Sequence, residues 1–149
     1  MAITYFSELN EEEVSLLAKA PALVTVLVAG ADQEIDKKEI NWANKLVNFR
    51  TFTADEKLHD YYELVNADFE ETLNQLVSEW TAESGQAAVN EQLSLLKPIL
   101  AKVDDDYAIL LKESLRSMAK HVAKASGGFL GMGTIDGNEE KVLSLDMLD

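Results

Sequence analysis

Four acidic side chains lie within eight residues of one another, next to the small residues Gly30 and Ala31: Asp32, Glu34, Asp36 and Glu39. Carboxylate oxygens are the ligands that hard cations such as Ca²⁺ and Mg²⁺ prefer. The spacing differs from an EF-hand, because Lys37 stands where that loop requires glycine and Ala43 where it requires a bidentate glutamate. The sequence therefore favours a cation site that this turn shares with another segment over a self-contained calcium loop.

A second segment near the other end of the chain repeats the pattern Ile-Asp-x-x-Glu, as Ile35 to Glu39 and again as Ile135 to Glu139. Each copy follows an apolar stretch that ends in small residues, which predicts two related helix–turn–helix hairpins. Helix capping alone explains both copies, since an aspartate at the N-cap accepts a backbone N–H and a glutamate three residues later forms a capping box. The alternative adds Asp32 and Glu34 to Asp36 and Glu39, since four carboxylates around one turn suit a hard cation.

These two stretches also carry a resemblance to a known family. Residues 28–39, VAGADQEIDKKE, look like the signature turn of the TerB-like tellurite-resistance family, and residues 125–141 look like the C-terminal turn of those domains. The family pattern has an alanine-rich helix end, Asp-Gly, an aliphatic residue and a glutamate that opens the next helix. This chain departs from it with Gln33 in place of the glycine and with Met132 where the second turn would repeat Asp32.

The resemblance implies an all-helical fold with pseudo-symmetric halves and a non-enzymatic, stress-response or tellurite-resistance-associated function. It also implies a bound divalent cation, Ca²⁺ or Mg²⁺, and protein partners that include membrane-associated complexes. The matching positions are Asp32 and Glu39 in the first turn, with Asp136 and Glu139 or Glu140 in the second.

Composition limits the remaining possibilities. The 149 residues include 27 acidic and 13 basic ones, for a net charge of −14, and no cysteine. Disulfides and thiolate zinc sites are excluded, and nucleic acid and anionic lipid are unfavourable partners for so acidic a chain. The most apolar run, residues 21–31, is about half the length of a membrane span. We therefore expect one cytoplasmic domain over residues 1–149, with no membrane insertion and with cations or basic proteins as partners.

The apolar spacing predicts an all-α, single-domain bundle of about seven helices. The expected helices are Ser7–Lys19, Pro21–Ala29, Asp36–Phe52, Thr53 to the turn at Ser84–Gly85, Gln86–Val103, Asp104 to the glycines 127–128, and a last one from Asp136. The fourth is either one helix or two joined near Asn66–Asp68, and Pro98 should kink or break the fifth.

Two further patterns are weaker. Glu56-x-x-His59 matches half of a bundle di-iron motif but has no second copy, so a surface histidine is favoured. The glycines at 128, 131 and 133 lack the lysine of a phosphate-binding loop. Tyr61, Tyr62 and Trp80 are interpreted as core contacts.

Three functions stay open from the sequence. The first is a TerB-like domain that binds a divalent cation through its acidic turns. The second is a protein–protein interaction module without metal, in which the acidic residues only cap helices and keep the surface charged. The third and least favoured is a metal-dependent hydrolase, which would need an enclosed polar pocket with an open metal position.

Overall fold

A computed structural model of the chain describes residues 4–30, 40–46, 56–81, 83–125 and 145–149. These ranges contain helices and turns and no strand, so the all-α prediction is confirmed for them. The helices are α1 (Glu11–Ala29), α2 (40–46), α3 (His59–Glu79), α4 (Gly85–Ser94), α5 (Leu96–Leu100) and α6 (Asp105–Ala125), with 3-10 turns at Thr4–Phe6, Glu56–Leu58 and Asp146–Leu148. The predicted helix from Asp136 and both acidic hairpin turns lie outside the described residues, so the count of seven and the repeat stay predictions.

The central element is α1, which packs against α3, α4 and α6. Every residue from Ala20 to Ala29 is buried, so this half of the helix meets protein on all sides. That burial explains the most apolar run in the sequence, since a helix that is apolar all round belongs in an interior. In the described part of the chain, no helix has the combination of length and apolar character that a membrane crossing requires.

The start of α1 is set by a capping box. Asn10 Oδ1 accepts the backbone N–H of Glu13 at 2.8 Å, and Glu13 Oε1 accepts that of Asn10 at 3.0 Å. The predicted start at Ser7 is therefore wrong, because the 3-10 turn Thr4–Phe6 comes first and buries Phe6. Lys102 also binds Glu13, at 2.7 Å, and these hydrogen bonds hold the pKa of the Glu13 carboxyl below its usual value.

The predicted break between Lys19 and Pro21 is also wrong, because Pro21 lies inside an uninterrupted α1. Proline has no N–H, so the carbonyl of Leu17, one turn earlier, loses its helical donor. The hydroxyl of Tyr61 on α3 donates to that carbonyl at 2.7 Å, in a fully buried position. Burial raises the pKa of Tyr61 well above its ordinary value, which keeps the hydroxyl protonated as a donor. A hydrogen bond from α3 thus replaces the one that Pro21 removes from α1.

Pro98 behaves as the sequence predicts. Helix α4 ends at Ser94, and α5 begins at Leu96 after a turn at Leu95. Pro98 is then in the first turn of α5, where a backbone N–H has no helical acceptor to lose.

Helix α3 is a single helix, so of the two alternatives for this region the uninterrupted one is correct. Its buried face is a row of apolar residues at helical spacing, which includes the predicted core residues Tyr61 and Tyr62: Tyr61, Tyr62, Val65, Phe69, Leu73 and Leu76. The rest of the helix is strongly acidic, with no lysine or arginine in the sequence of α3 and with six acidic residues: Asp60, Glu63, Asp68, Glu70, Glu71 and Glu79.

Helix α6 also follows the prediction. A carboxylate oxygen of Asp104 accepts the backbone N–H of Tyr107 at 3.3 Å, as expected for a helix start at this position. The described members of its apolar row are all buried: Tyr107, Leu111, Leu115, Met118 and Val122. A hydrogen bond between the hydroxyls of Tyr62 and Ser114 joins α3 to α6.

Trp80, at the end of α3, packs directly on two glycines. A Cβ atom on Gly30 would lie 2.3 Å from Cζ2 of the indole, and one on Gly85 would lie 2.4 Å from its Cδ2. Gly30 ends α1 and Gly85 opens α4, so the indole at the end of α3 contacts the termini of two other helices. Both positions need glycine for space, since no Cβ fits beneath the ring.

The first prediction compares two buried tyrosines. Tyr61→Phe should lower the free energy of unfolding by about 1–2 kcal/mol, because it leaves the buried Leu17 carbonyl without a donor. Tyr107→Phe should leave stability unchanged or raise it, because the buried Tyr107 hydroxyl has no hydrogen-bond partner in the described part of the chain. Urea denaturation of both variants tests this, and equal losses would show that the Tyr61 hydrogen bond does not support α1.

The second prediction concerns the indole contact. Gly85→Ala should destabilise the protein by about 1–3 kcal/mol through overpacking, although alanine is the better helix former. Adding Trp80→Leu should make the Gly85→Ala change much less costly, which a double-mutant cycle measured by urea denaturation would detect. Additive effects would mean that the clash with the ring does not cause the loss.

Candidate interaction groove between α1 and α3

All seven predicted cation ligands lie outside the described residues: Asp32, Glu34, Asp36, Glu39, Asp136, Glu139 and Glu140. The shared Ca²⁺ or Mg²⁺ site therefore stays a prediction. Within the ranges that the structure does describe, no three acidic or histidine side chains come together in a way that would hold a metal ion. His59 of the Glu56-x-x-His59 motif is half-buried at the start of α3, and Glu56 is exposed in the preceding turn.

The structure places a groove elsewhere, between the N-terminal half of α1 and the middle of α3. Its volume is about 580 Å³. Four half-buried apolar residues form its floor: Leu9, Val14, Ala18 and Leu64. Ala22, Val65 and Phe69 also line the groove and are buried. Its edges are polar, with Asn10, Glu11, Ser15 and Lys19 on the α1 side and Asp68, Thr72 and Gln75 on the α3 side.

Helical spacing explains why these side chains line one surface. Val14, Ala18 and Ala22 follow one another at intervals of four residues along α1, so they form a single row. Two of these three are alanines, and Ser15 beside them is also small. Small side chains on α1 leave space against Leu64 and its neighbours on α3, and this space is the groove.

The carboxylate of Asp68 belongs to the groove and also to a second, shallower hollow on the outer side of α3. This hollow has a volume of about 450 Å³ and is lined by Asn66, Ala67, Asp68, Glu70, Glu71 and Asn74. We call Asp68, Glu70 and Glu71 the acidic strip. All three are exposed, and within the described part of the chain none of them forms an ion pair or a hydrogen bond through its side chain.

The opposite edge of the groove carries a positive charge. Among the described residues that line it, the basic one is Lys19, whose ammonium group lies 3.4 Å from the Gln92 side-chain oxygen on α4. The α1 side of the groove therefore carries one charge of each sign, Glu11 and Lys19, and the α3 side carries the negative charge of Asp68. An apolar floor between charged edges suits an amphipathic segment of another protein better than it suits a free ion.

Sequence reasoning did not find this groove. The signal that could have revealed it is the row Val14–Ala18–Ala22, in which small residues at helical spacing leave room beside a neighbouring helix. A second signal is Leu64, a half-buried apolar residue beside the buried apolar row of α3. Neither signal identifies its partner, because α1 and α3 are separated by residues 30–58 and meet only in the folded chain.

Comparisons with protein-family models, curated protein sequences and solved structures find no match to this chain. The TerB-like resemblance of the two turns consequently stays a prediction from the sequence.

The third prediction tests those turns. If they bind Ca²⁺ or Mg²⁺, a saturating concentration of that ion should raise the melting temperature of chelator-treated protein by about 5–10 °C. Asp32→Asn with Glu39→Gln should abolish this shift and leave the helical content unchanged. Glu83→Gln with Glu91→Gln changes the net charge equally at two exposed positions and should keep the shift.

A full metal response in the Asp32/Glu39 variant would contradict the ligand assignment. The same small shift with every divalent ion would indicate screening of the chain's net charge of −14 and no specific site.

Proposed function

We propose that this chain is a non-enzymatic binding domain that works as a protein–protein interaction module. Its groove between α1 and α3 binds an amphipathic helix of a partner protein. The observation that carries the proposal is the continuous set of half-buried apolar side chains in that groove, Leu9, Val14, Ala18 and Leu64. Covering apolar surface that remains accessible beside the packed core of the described residues lowers the free energy, which favours binding of a partner there.

The dimensions of the groove favour a helix as the bound element. Its α1 side runs from Asn10 to Ala22, about 18 Å, and its α3 side from Leu64 to Gln75, about 17 Å, at the helical rise per residue. Each side is therefore about three helical turns long. A helix in a groove typically contributes apolar side chains at positions i, i+3 or i+4, and i+7, which extend over two turns. The polar edges would then lie beside the solvent-facing flanks of that helix.

The acidic turns support a second candidate function, a TerB-like, stress-response-associated domain that binds a divalent cation. Four carboxylates between Asp32 and Glu39 are the observation that favours it. The two functions use different residues, so a domain that binds a cation through its turns can also bind a partner through its groove.

The fourth prediction tests the groove with a synthetic helical peptide of 16 residues. The peptide has leucines at i, i+4, i+7 and i+11 and uncharged glutamine and alanine at the other positions. Ala18→Gln should weaken its binding by about tenfold or more, because the longer side chain fills the floor of the groove. Ala87→Gln, an equal change at an exposed position of α4, should have no effect. Fluorescence anisotropy of the labelled peptide gives both affinities.

Equal binding by the Ala18 variant and the unmodified protein would contradict the proposal. So would a lack of binding together with a concentration-dependent dimer that Ala18→Gln dissociates, since the groove would then serve self-association. Thermal melts of both variants confirm that each remains folded.

A further inference from the structure

We infer that the partner helix is basic on one flank, and that its lysine or arginine side chains lie over the acidic strip Asp68, Glu70 and Glu71. This inference rests on the proposed function of the groove, because the groove places the helix beside the strip. It adds the chemistry that selects one amphipathic helix over another.

The acidic strip is continuous with the groove. Asp68 lines both the groove and the outer hollow, and Glu71 lies one helical turn further along α3. Glu70 also lines the hollow on the outer side of α3. A helix whose apolar side chains occupy the groove therefore brings one of its flanks next to the carboxylates of Asp68 and Glu71, within the reach of a lysine or arginine side chain. Glu70, two residues from Asp68, lies further around α3 and adds to the acidic charge of this surface.

The strip has no compensating charge within the described residues. The ion pairs of the described residues lie elsewhere: half-buried Glu13 binds Lys102, and exposed Asp149 binds both Arg116 and Lys112. The strip lacks such pairs, and the 21 residues of α3 include no lysine or arginine. Asp68 and Glu71, three residues apart on one helix, repel one another, and a cationic side chain bound between them removes that repulsion.

A metal ion is a poorer occupant of the strip than a basic side chain. Among the described residues, no three acidic or histidine side chains come together to hold a metal ion, so the carboxylates of the acidic strip do not converge on one point. They are spread along the surface of α3. Spread carboxylates suit several separate ammonium or guanidinium groups, each of which needs only one or two of them.

The two sides of the groove differ in charge. The α1 side carries both Lys19, which contacts Gln92 on α4, and Glu11, so their charges cancel, whereas the charged residue on the α3 side is Asp68. A helix with basic residues on one flank only therefore matches the two sides in one orientation. The net charge of −14 also attracts a basic partner from a distance and accelerates its association.

The fifth prediction uses three versions of the 16-residue peptide, with the same leucines and with three lysines, glutamines or glutamates on one flank. The lysine peptide should bind the unmodified protein at least about tenfold more tightly than the glutamate peptide at 50 mM salt, and high salt should reduce the difference. The triple variant Asp68→Asn, Glu70→Gln, Glu71→Gln should bind the lysine peptide no better than the glutamine peptide. Its affinity for the glutamine peptide should not change.

The matched control is the triple variant Glu83→Gln, Glu91→Gln, Glu113→Gln. It removes the same number of charges from exposed positions that line neither the groove nor the hollow, so it should keep the preference for lysine. If it loses that preference equally, the net charge of the chain and not the strip selects the peptide, and the inference is wrong.

The remaining outcomes separate the inference from the proposed function. If all three peptides bind equally and Ala18→Gln weakens all of them, the groove is an interaction site and the basic partner is wrong. If no peptide binds, both are wrong.

Discussion

The hydrogen bond from the Tyr61 hydroxyl to the Leu17 carbonyl allows α1 to continue through Pro21. Without it, the middle of the helix against which α3, α4 and α6 pack would contain a buried carbonyl with no donor. Thr25, the buried polar residue of this region, is also satisfied within α1, since its hydroxyl donates to the Pro21 carbonyl at 2.8 Å. The bundle is thus organised around a helix that local rules would divide in two.

The two halves of the continuous helix α1 have different surroundings. The half after Ala20 is buried on all sides and ends under the Trp80 indole, where glycines at both neighbouring helix termini let the ring approach. The half before Ala20 leaves a row of small and apolar side chains open to solvent beside α3. One rigid helix therefore connects the packed core to the proposed interaction surface, and such rigidity favours binding because little conformational entropy is lost.

Acidic residues serve different purposes in different parts of this chain. Glu13 caps α1, and Asp104 accepts a backbone N–H at the start of α6, so both have a structural partner. Asp68, Glu70 and Glu71 have none among the described residues and lie mid-helix, away from the N-terminal dipole that would favour them. Their exposed carboxylates thus neither cap nor join helices in the described part of the chain.

The sequence by itself determined the elements whose signals are local. The apolar row of α6, the break before Pro98 and the burial of Tyr61 and Tyr62 follow from helical periodicity, the missing proline N–H and the size of the aromatic rings. The acidic turn from Asp32 to Glu39 is a prediction of the same kind, since it depends on neighbouring residues alone.

Tertiary structure decided what depends on distant residues. Tyr61 completes α1 from 44 positions away, Trp80 meets Gly30 from the end of another helix, and the groove exists only where small side chains of α1 face α3. Periodicity shows which face of a helix is apolar, but the partner that covers that face, and the space left beside it, are set by the packing of the whole chain.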